Sequence, residues 1–342
     1  MNAPISRYEP RSRGRIAQPR LERMPSARLT FGGIMQWDRR STLAALAAAA
    51  VPIPALASAA VELGGTKLVL LGTAGGPRVR KNRSGSAQAI VSGGNIYVID
   101  CGYGVARQMV LAGLDLKRLR HIFITHHHSD HDIDLGPLLQ LAWLTGLTTA
   151  VDCWGPPPMH KMIADYLKYE AYDIGVRQRD EGRVPLRPLI HSHEIHGGGP
   201  VMHNAQLRVT AARVIHPPID LALAYRFDAT DRSIVISGDT RPSDELIRLA
   251  KDADVLVHEA MMPDRVSQLL RSLPNQRALA RSVLWHHSSA EEVGRSRRPR
   301  ASRCSSFRIS FPPTIRMFLT TNGLLQRGGI IPARSWLAAT SC

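Results

Sequence analysis

The chain has 342 residues, of which 44% are hydrophobic and 21% charged, a composition that excludes a fibrous or wholly disordered protein. Its formal net charge of +16 is concentrated at the two ends, since residues 1–40 hold nine arginines and three acidic residues, and residues 296–342 hold eight arginines and no acidic residue. Residues 41–295 carry 27 basic and 25 acidic residues and are nearly neutral. The charge therefore does not indicate a nucleic-acid-binding surface on the body of the protein.

The N-terminal sixty residues divide into two segments. Residues 1–34 are rich in Arg, Ser and Pro without a hydrophobic period, which predicts a disordered or non-native upstream extension. Residues 35–60 hold the pair Arg39-Arg40, an alanine-rich apolar run and closing Ala-x-Ala sites, which are typical of an export signal and similar to a twin-arginine signal. Because two prolines interrupt the run, we predict a signal peptide, a periplasmic or secreted protein and no stable membrane span.

A globular domain is predicted over residues 61–295, where short apolar runs alternate with helical periods. The runs predict strands at Lys67–Leu71, Ile96–Ile99, His121–Thr125, Leu207–Ala211, Ser233–Ile236 and Val255–Val257. The helical periods predict helices at Val105–Leu111, Leu135–Leu144, Met159–Tyr169 and Asp244–Ala250. This mixed order favours a layered α/β domain.

A dense group of metal-ligand residue types follows the predicted strand His121–Thr125 directly. It contains His126, His128, Asp130 and His131. Two histidines at positions i and i+2 can hold one cation, and the aspartate and histidine just beyond them can reach a second. Imidazole and carboxylate together suit zinc, with manganese or iron as alternatives. A solvated histidine-rich loop is disfavoured, because the run interleaves an aspartate, follows a strand and opens a helix.

Further candidates lie downstream, and most of them follow strand-like runs. They are His216, Asp239, the pair His258-Glu259, and His287 at the start of a helix with an N-cap-like sequence. Taken alone, a histidine at the end of a strand is more often a structural residue than a metal ligand, and it is the order and setting of these residues together that favour a site. By contrast, the cluster over residues 191–196 is predicted to be an exposed loop outside the site.

The run over residues 126–131 matches the H-x-H-x-D-H signature of the metallo-β-lactamase fold superfamily. The accompanying motifs resemble its ribonuclease Z and arylsulfatase-like branch; they are the glycine-rich opening at 71–85, DCGYG at 100–104, SGDT at 237–240, HEA at 258–260 and HSSA at 287–290. The resemblance covers about residues 66–295. It implies an α/β fold, an αβ/βα four-layer sandwich, with a two-zinc site on one edge.

The resemblance also implies roles for individual residues. His126, His128 and His216 would bind the first zinc, Asp130 and His131 the second, and Asp239 would bridge the two. A metal-activated hydroxide, oriented by Asp130, would then attack an ester bond, and His287 would donate a proton with Glu259 or a neighbouring acid holding it in place. The predicted protein is a zinc-dependent hydrolase.

The substrate expected from this branch is a phosphodiester or sulfate ester, with a lactonase or another small-ester hydrolase as the alternative. Antibiotic hydrolysis is disfavoured, because the commonest zinc β-lactamases have a cysteine where this chain has Asp239. Export argues against transfer-RNA processing, so a small-molecule ester is the expected partner and nucleic acid is disfavoured. Assembly as a homodimer is left open.

The C-terminal segment 296–342 departs abruptly from the rest of the chain. The family needs one more ligand histidine after the helix that begins near Ser288, yet all fourteen histidines precede that residue. Codons compatible with Ser306–Pro313 read LSHFVPP in a shifted frame, which is similar to the family's ligand strand. We therefore predict a frameshifted, poorly ordered tail and an incomplete second metal site, and a metal-binding but catalytically impaired protein is the alternative function.

Overall fold

The computed structural model describes residues 65–270, 275–296 and 316–321. The predicted extension 1–34, the predicted signal peptide 35–60 and most of the predicted frameshifted tail lie outside these ranges. Within them, no helix combines the length and the apolar character that crossing a membrane would require.

Two six-stranded sheets form the centre of the domain. In the first sheet the strands lie in chain order: β1 Lys67–Gly72, β2 Ala87–Ser92, β3 Asn95–Ile99, β4 Leu119–Phe123, β5 Val151–Gly155 and β6 Ile190–Glu194. The strands β1 to β3 are antiparallel, and β3 to β6 are parallel.

The second sheet also keeps the chain order. Its strands are β7 Gly199–His203, β8 Leu207–Val214, β9 Ala222–Ala229, β10 Ser233–Ile236, β11 Val255–Ala260 and β12 Arg316–Thr321. The first four are antiparallel, and β10, β11 and β12 are parallel. The strand β12 lies within the predicted tail, and it pairs with β11 over six residues.

Nine α-helices flank the sheets in the described ranges: α1 Val105–Leu111, α2 Ser129–Asp132, α3 Leu135–Leu144, α4 Met159–Tyr169, α5 Ala171–Asp180, α6 Asp244–Leu249, α7 Pro263–Leu270, α8 Gln276–His286 and α9 Ala290–Ser296. Three apolar cores separate the layers. Residues of α1, α3, α4 and α5 pack on the outer face of the first sheet, aromatic and aliphatic side chains fill the space between the sheets, and Leu246 of α6 packs on the outer face of the second. The predicted αβ/βα four-layer sandwich is confirmed.

Local sequence patterns predicted the exact bounds of some helices and strands but did not predict others. The helices α1, α3 and α4 and the strand β10 have the predicted bounds. The predicted loop at 191–196 is wrong for residues 191–194, which lie in β6 because parallel pairing with β5 satisfies their backbone. The helix after Ser289 is capped as expected, since Ser289 Oγ accepts from Glu292 N at 3.2 Å and Glu292 Oε2 accepts from Ser289 N at 2.9 Å.

The two sheets are tied together at one edge. The Leu223 N–H of β9 donates to the Thr125 carbonyl at 2.9 Å, and the buried Tyr225 hydroxyl donates to the Ile124 carbonyl at 2.8 Å. Backbone also packs closely here, since a Cβ on Gly102 would lie 2.5 Å from Gly85 C and would overlap the Asp130 carbonyl. These contacts fix the backbone on both sides of the segment that begins at His126.

Candidate metal centre

The candidate site lies where the carboxyl ends of strands from both sheets meet. His126 follows β4 of the first sheet, whereas His216 follows β8 and Asp239 follows β10 of the second. The turn after β10 needs glycine, because Gly238 has a φ of +59° and a Cβ there would lie 2.9 Å from the Leu223 carbonyl oxygen. The fold thus brings together residues far apart in the chain.

Three imidazoles converge on one point. His128 Nδ1 lies 3.0 Å from His126 Nε2 and 3.0 Å from His216 Nε2. His126 and His216 are buried, whereas His128 is half-buried. This set is the one predicted for the first metal, and its ligand atoms lie within 4.8 Å of one another.

The ring orientations follow from hydrogen bonds on the far side of each imidazole. His216 Nδ1 donates to the His286 carbonyl at 3.0 Å, so its Nε2 carries the lone pair. His126 Nδ1 donates to Thr125 Oγ1 at 3.0 Å, and that hydroxyl donates to Asp100 Oδ2 at 3.0 Å. The same carboxylate oxygen accepts from His131 Nδ1 at 2.7 Å. One buried carboxylate therefore sets the tautomer of two histidines.

Asp100 is the functional residue that the sequence analysis missed. Its Oδ1 also accepts from the Thr125 N–H at 2.8 Å, and its own backbone lies in the left-handed region with a φ of 60°. Burial raises the pKa of Asp100, and the adjacent His131 opposes that rise. The available signal was its place in the motif at 100–104, directly after β3.

The second group of candidate ligands centres on Asp239. His131 Nε2 lies 3.3 Å from Asp239 Oδ1 and 3.7 Å from Asp130 Oδ2. His126, His131 and Asp239 form a second set with ligand atoms within 4.8 Å of one another, which Asp130 does not join. A third set joins His216, Asp239 and His287. Asp239 is common to the last two sets, as a bridging ligand would be.

Burial and neighbouring groups keep three of the candidate ligands in the form that binds metals. Burial lowers the pKa of His126 far below its usual value and lowers that of His216 to about 4, so both imidazoles are neutral. Burial would raise the pKa of Asp239, but its interaction with the adjacent His131 holds that pKa well below its ordinary value. The carboxylate is therefore ionised.

These residues fit a divalent metal. His128 Nδ1 can carry at most one proton, yet it faces the lone pairs of two other imidazoles, so hydrogen bonding alone leaves at least one buried lone pair without a donor. Ligands bound to a tetrahedral zinc ion at 2.0–2.1 Å lie about 3.3 Å apart, which is close to the observed spacing. A cation at this point would satisfy all three nitrogens.

His287 and Glu259 form a pair beside the metal centre. His287 Nδ1 lies 3.0 Å from Glu259 Oε2 and 3.6 Å from Asp239 Oδ2. Burial alone would lower the pKa of His287, but these carboxylates raise it to about 9. Glu259 Oε1 also accepts from the Thr240 N–H at 2.8 Å, so this side chain holds the loop after Asp239 as well. The geometry agrees with the expected positioning role of Glu259.

Three other histidines, among them the candidate His258, have partners outside the metal centre. His127 Nδ1 bonds Asp132 Oδ2 at 2.9 Å and its Nε2 donates to the Pro156 carbonyl at 2.7 Å, a structural role. His258 is buried with its Nδ1 2.5 Å from the Glu259 carbonyl. His193 bonds Asp152 at 2.8 Å on the first sheet.

Comparison with known proteins gives the family. A family model described as "Beta-lactamase superfamily domain" matches residues 95–293. Ribonuclease Z from Mycobacterium sp. (strain KMS) is 34% identical over 229 residues, which cover 66% of this chain and 78% of that protein. Ribonuclease Z from Mycobacterium bovis (strain BCG / Pasteur 1173P2) is 31% identical over 230 residues, covering 66% and 79%. A crystal structure of a long form RNase Z from yeast aligns with a TM-score of 0.51 and 14% identity, covering 76% of this chain and 41% of that one.

The chain belongs to the metallo-β-lactamase fold superfamily of hydrolases. Within that superfamily it is a member of the ribonuclease Z-like branch. The predicted family and the prediction of a hydrolase that acts on ester bonds are both confirmed.

Proposed function

We propose that the protein is a zinc-dependent hydrolase of phosphodiesters. The observation that carries the proposal is the convergence of His126, His128 and His216 beside Asp239 and His131. A ribonuclease, the name carried by the relatives, cleaves phosphodiester bonds of RNA. Sulfate esters share the tetrahedral anionic centre of phosphodiesters and are the second substrate class. A lactone lacks that centre and would have to bind the site in a different way.

The chain's own residues would divide the work of hydrolysis. Metal held by the site would lower the pKa of water and stabilise the negative charge that develops on the ester oxygens. Asp130, buried at the edge of the site, would accept a hydrogen bond from the attacking water and orient it. The attacking water loses one proton to solvent as its oxygen forms a bond to phosphorus. The bond to the leaving oxygen breaks, His287 gives that oxygen a proton, and His287 then regains a proton from solvent. The products are a phosphate monoester and an alcohol.

A panel of chromogenic esters tests the reaction class. Purified protein loaded with zinc, manganese or iron is assayed with bis(4-nitrophenyl) phosphate, 4-nitrophenyl sulfate and a chromogenic lactone. We expect metal-dependent turnover of the phosphodiester, with a loss of at least a hundredfold in His128→Ala. The matched control is His191→Ala, which removes an exposed histidine outside the site. Preferred hydrolysis of the lactone would favour the alternative substrate class.

A second candidate function is metal binding with impaired catalysis. The observation that favours it is the absence of any histidine in the sequence after His287, whereas the family's second site takes one from a later strand. Metal content and turnover are measured in this chain and in a variant that carries the shifted-frame sequence after Glu292. One zinc ion and no turnover here, with two ions and turnover in the variant, would support this reading. Resequencing the gene between the codons for Glu292 and Arg308 tests the frameshift itself.

We also propose that the protein is exported to the periplasm. The support is the sequence pattern over residues 35–60, with paired arginines before an alanine-rich run. Cell fractionation and mass spectrometry of the mature N-terminus test this proposal, with the variant Arg39→Lys, Arg40→Lys as the control. An intact N-terminus in the cytoplasmic fraction would contradict it.

A further inference from the structure

A second cluster of metal-ligand residue types lies on the face of the first sheet that turns toward the second. Asp152 of β5 has His121 of β4 and His191 of β6 as its direct cross-strand neighbours. His193 follows two residues after His191 and therefore lies on the same face of β6. These four residues, the Asp152 cluster, lie toward the amino ends of β5 and β6, whereas the ligands of the metal centre follow the carboxyl ends of their strands.

The Asp152 carboxylate faces three imidazoles. Its Oδ1 lies 2.8 Å from His193 Nε2 and 3.6 Å from His191 Nδ1, and its Oδ2 lies 3.8 Å from His121 Nδ1. Among the described residues, no lysine or arginine forms an ion pair with this carboxylate. Imidazole and carboxylate are the ligand types that zinc and related divalent metals take.

Aromatic contacts decide which of the imidazoles can bind an ion. His193 stacks on Trp154 with ring centroids 3.9 Å apart, which holds its Nε2 against Asp152 Oδ1. His121 stacks on Tyr97 at 4.9 Å, and its Nδ1 accepts from the Trp154 Nε1–H at 3.4 Å. Because that lone pair already has a donor, His121 is left out of the ligand set. The remaining ligands are Asp152, His191 and His193.

The spacing of these three ligands is close to what a cation needs. The two distances from Asp152 Oδ1, 2.8 Å and 3.6 Å, bracket the separation of about 3.3 Å between ligands of a tetrahedral zinc ion. Their ligand atoms do not all lie within 4.8 Å of one another, so the two imidazoles have to approach before both can bind. The His191 side chain is 52% exposed, and its ring can turn inward without disturbing the core.

We propose that Asp152, His191 and His193 form a further site for a divalent cation of the zinc type, separate from the metal centre. Two histidines and one carboxylate leave the other coordination positions to water. Because these ligands are more exposed than those of the metal centre, the ion would be held more weakly. The site would fill only at free zinc concentrations above those that fill the metal centre.

Zinc counting over a range of free zinc concentrations tests this site. The full chain is dialysed against zinc buffers, and bound zinc is measured by mass spectrometry. At the highest concentrations the parent is expected to hold one zinc ion more than His191→Ala or His193→Ala. The matched control is His160→Ala, an exposed histidine that bonds Ser192 at 2.6 Å on the opposite face of β6, and it should hold as many ions as the parent. Circular dichroism verifies that the variants are folded.

A second background shows which site loses the ion. His128→Ala removes a ligand of the metal centre, and adding His191→Ala to it should still remove one weakly held ion. If the added substitution has no effect there, the extra ion belongs to the metal centre and the proposal is overturned.

Equal zinc binding by the parent and both single alanine variants also overturns the proposal, and the Asp152 cluster is then a hydrogen-bond network. None of its residues belongs to the ligand sets of the metal centre, and the readout is zinc content and not turnover. The inference therefore stands or falls independently of the proposed hydrolase.

Discussion

Replacing Asp100 by Asn would test how the metal centre is organised. The carboxylate accepts three hydrogen bonds, two from Thr125 and one from His131, and its side chain is almost fully buried. An asparagine amide nitrogen in the Oδ2 position would face two donors, and in the Oδ1 position it would face the Thr125 N–H. Either way at least one buried donor is left unpaired, at a cost of about 1–3 kcal/mol of folding free energy.

The larger effect of Asp100→Asn should be on the metal. Without the carboxylate, His131 and His126 lose the group that directs their Nε2 lone pairs inward, and losses of this kind cost about 10- to 100-fold in metal affinity, or roughly 1.4–2.7 kcal/mol. Zinc affinity is measured by competition with a chromogenic chelator. The control is Asp152→Asn, which removes a carboxylate bonded to His193 outside the site. Zinc affinity within threefold of the parent in the Asp100 variant would refute the reasoning.

Three further outcomes are expected. Gly102→Ala should lower the free energy of unfolding by about 1–3 kcal/mol in urea titrations, because its Cβ would press on the Asp130 carbonyl, whereas Gly197→Ala, with open space around it, should not. Removal of metal with a chelator should lower the midpoint of thermal unfolding, and readdition of zinc should restore it; an unchanged midpoint would show that no cation is held. His127→Gln should destabilise the fold in the same assay while leaving zinc stoichiometry unchanged, since both ring nitrogens bond protein groups; loss of zinc would contradict its structural role.

An element of this fold can be predicted from the sequence where its pattern is contained in its own residues. The helices α3 and α4 follow from their own periodicity. The run from His126 to His131 is dense enough to predict a metal site from the sequence alone. The strand β6 has no such signal, because Ile190–Glu194 is mostly polar and is a strand only through its pairing with β5. Pairing of this kind depends on the tertiary fold.

The site shows the same division. Asp100 belongs to the motif at 100–104, but its role depends on a contact with His131, which lies 31 positions later in the chain. A small apolar cluster joins Met261 after β11 to Leu279 and Val283 on α8, and no spacing in the sequence indicates that they pack together. Both features are formed by contacts between distant segments, so they cannot be predicted from periodicity or motif spacing.

The three-histidine set also has a consequence for how the chain matures. His128 and His216 are 88 positions apart. His128 lies after β4 of the first sheet, and His216 lies after β8 of the second. During synthesis the first half of the chain exposes an incomplete histidine set, which is a weak ligand for any cation. The complete set exists only after the second sheet has been made and has docked. Metal capture would therefore be a late event that selects fully assembled molecules from the pool of newly made chains.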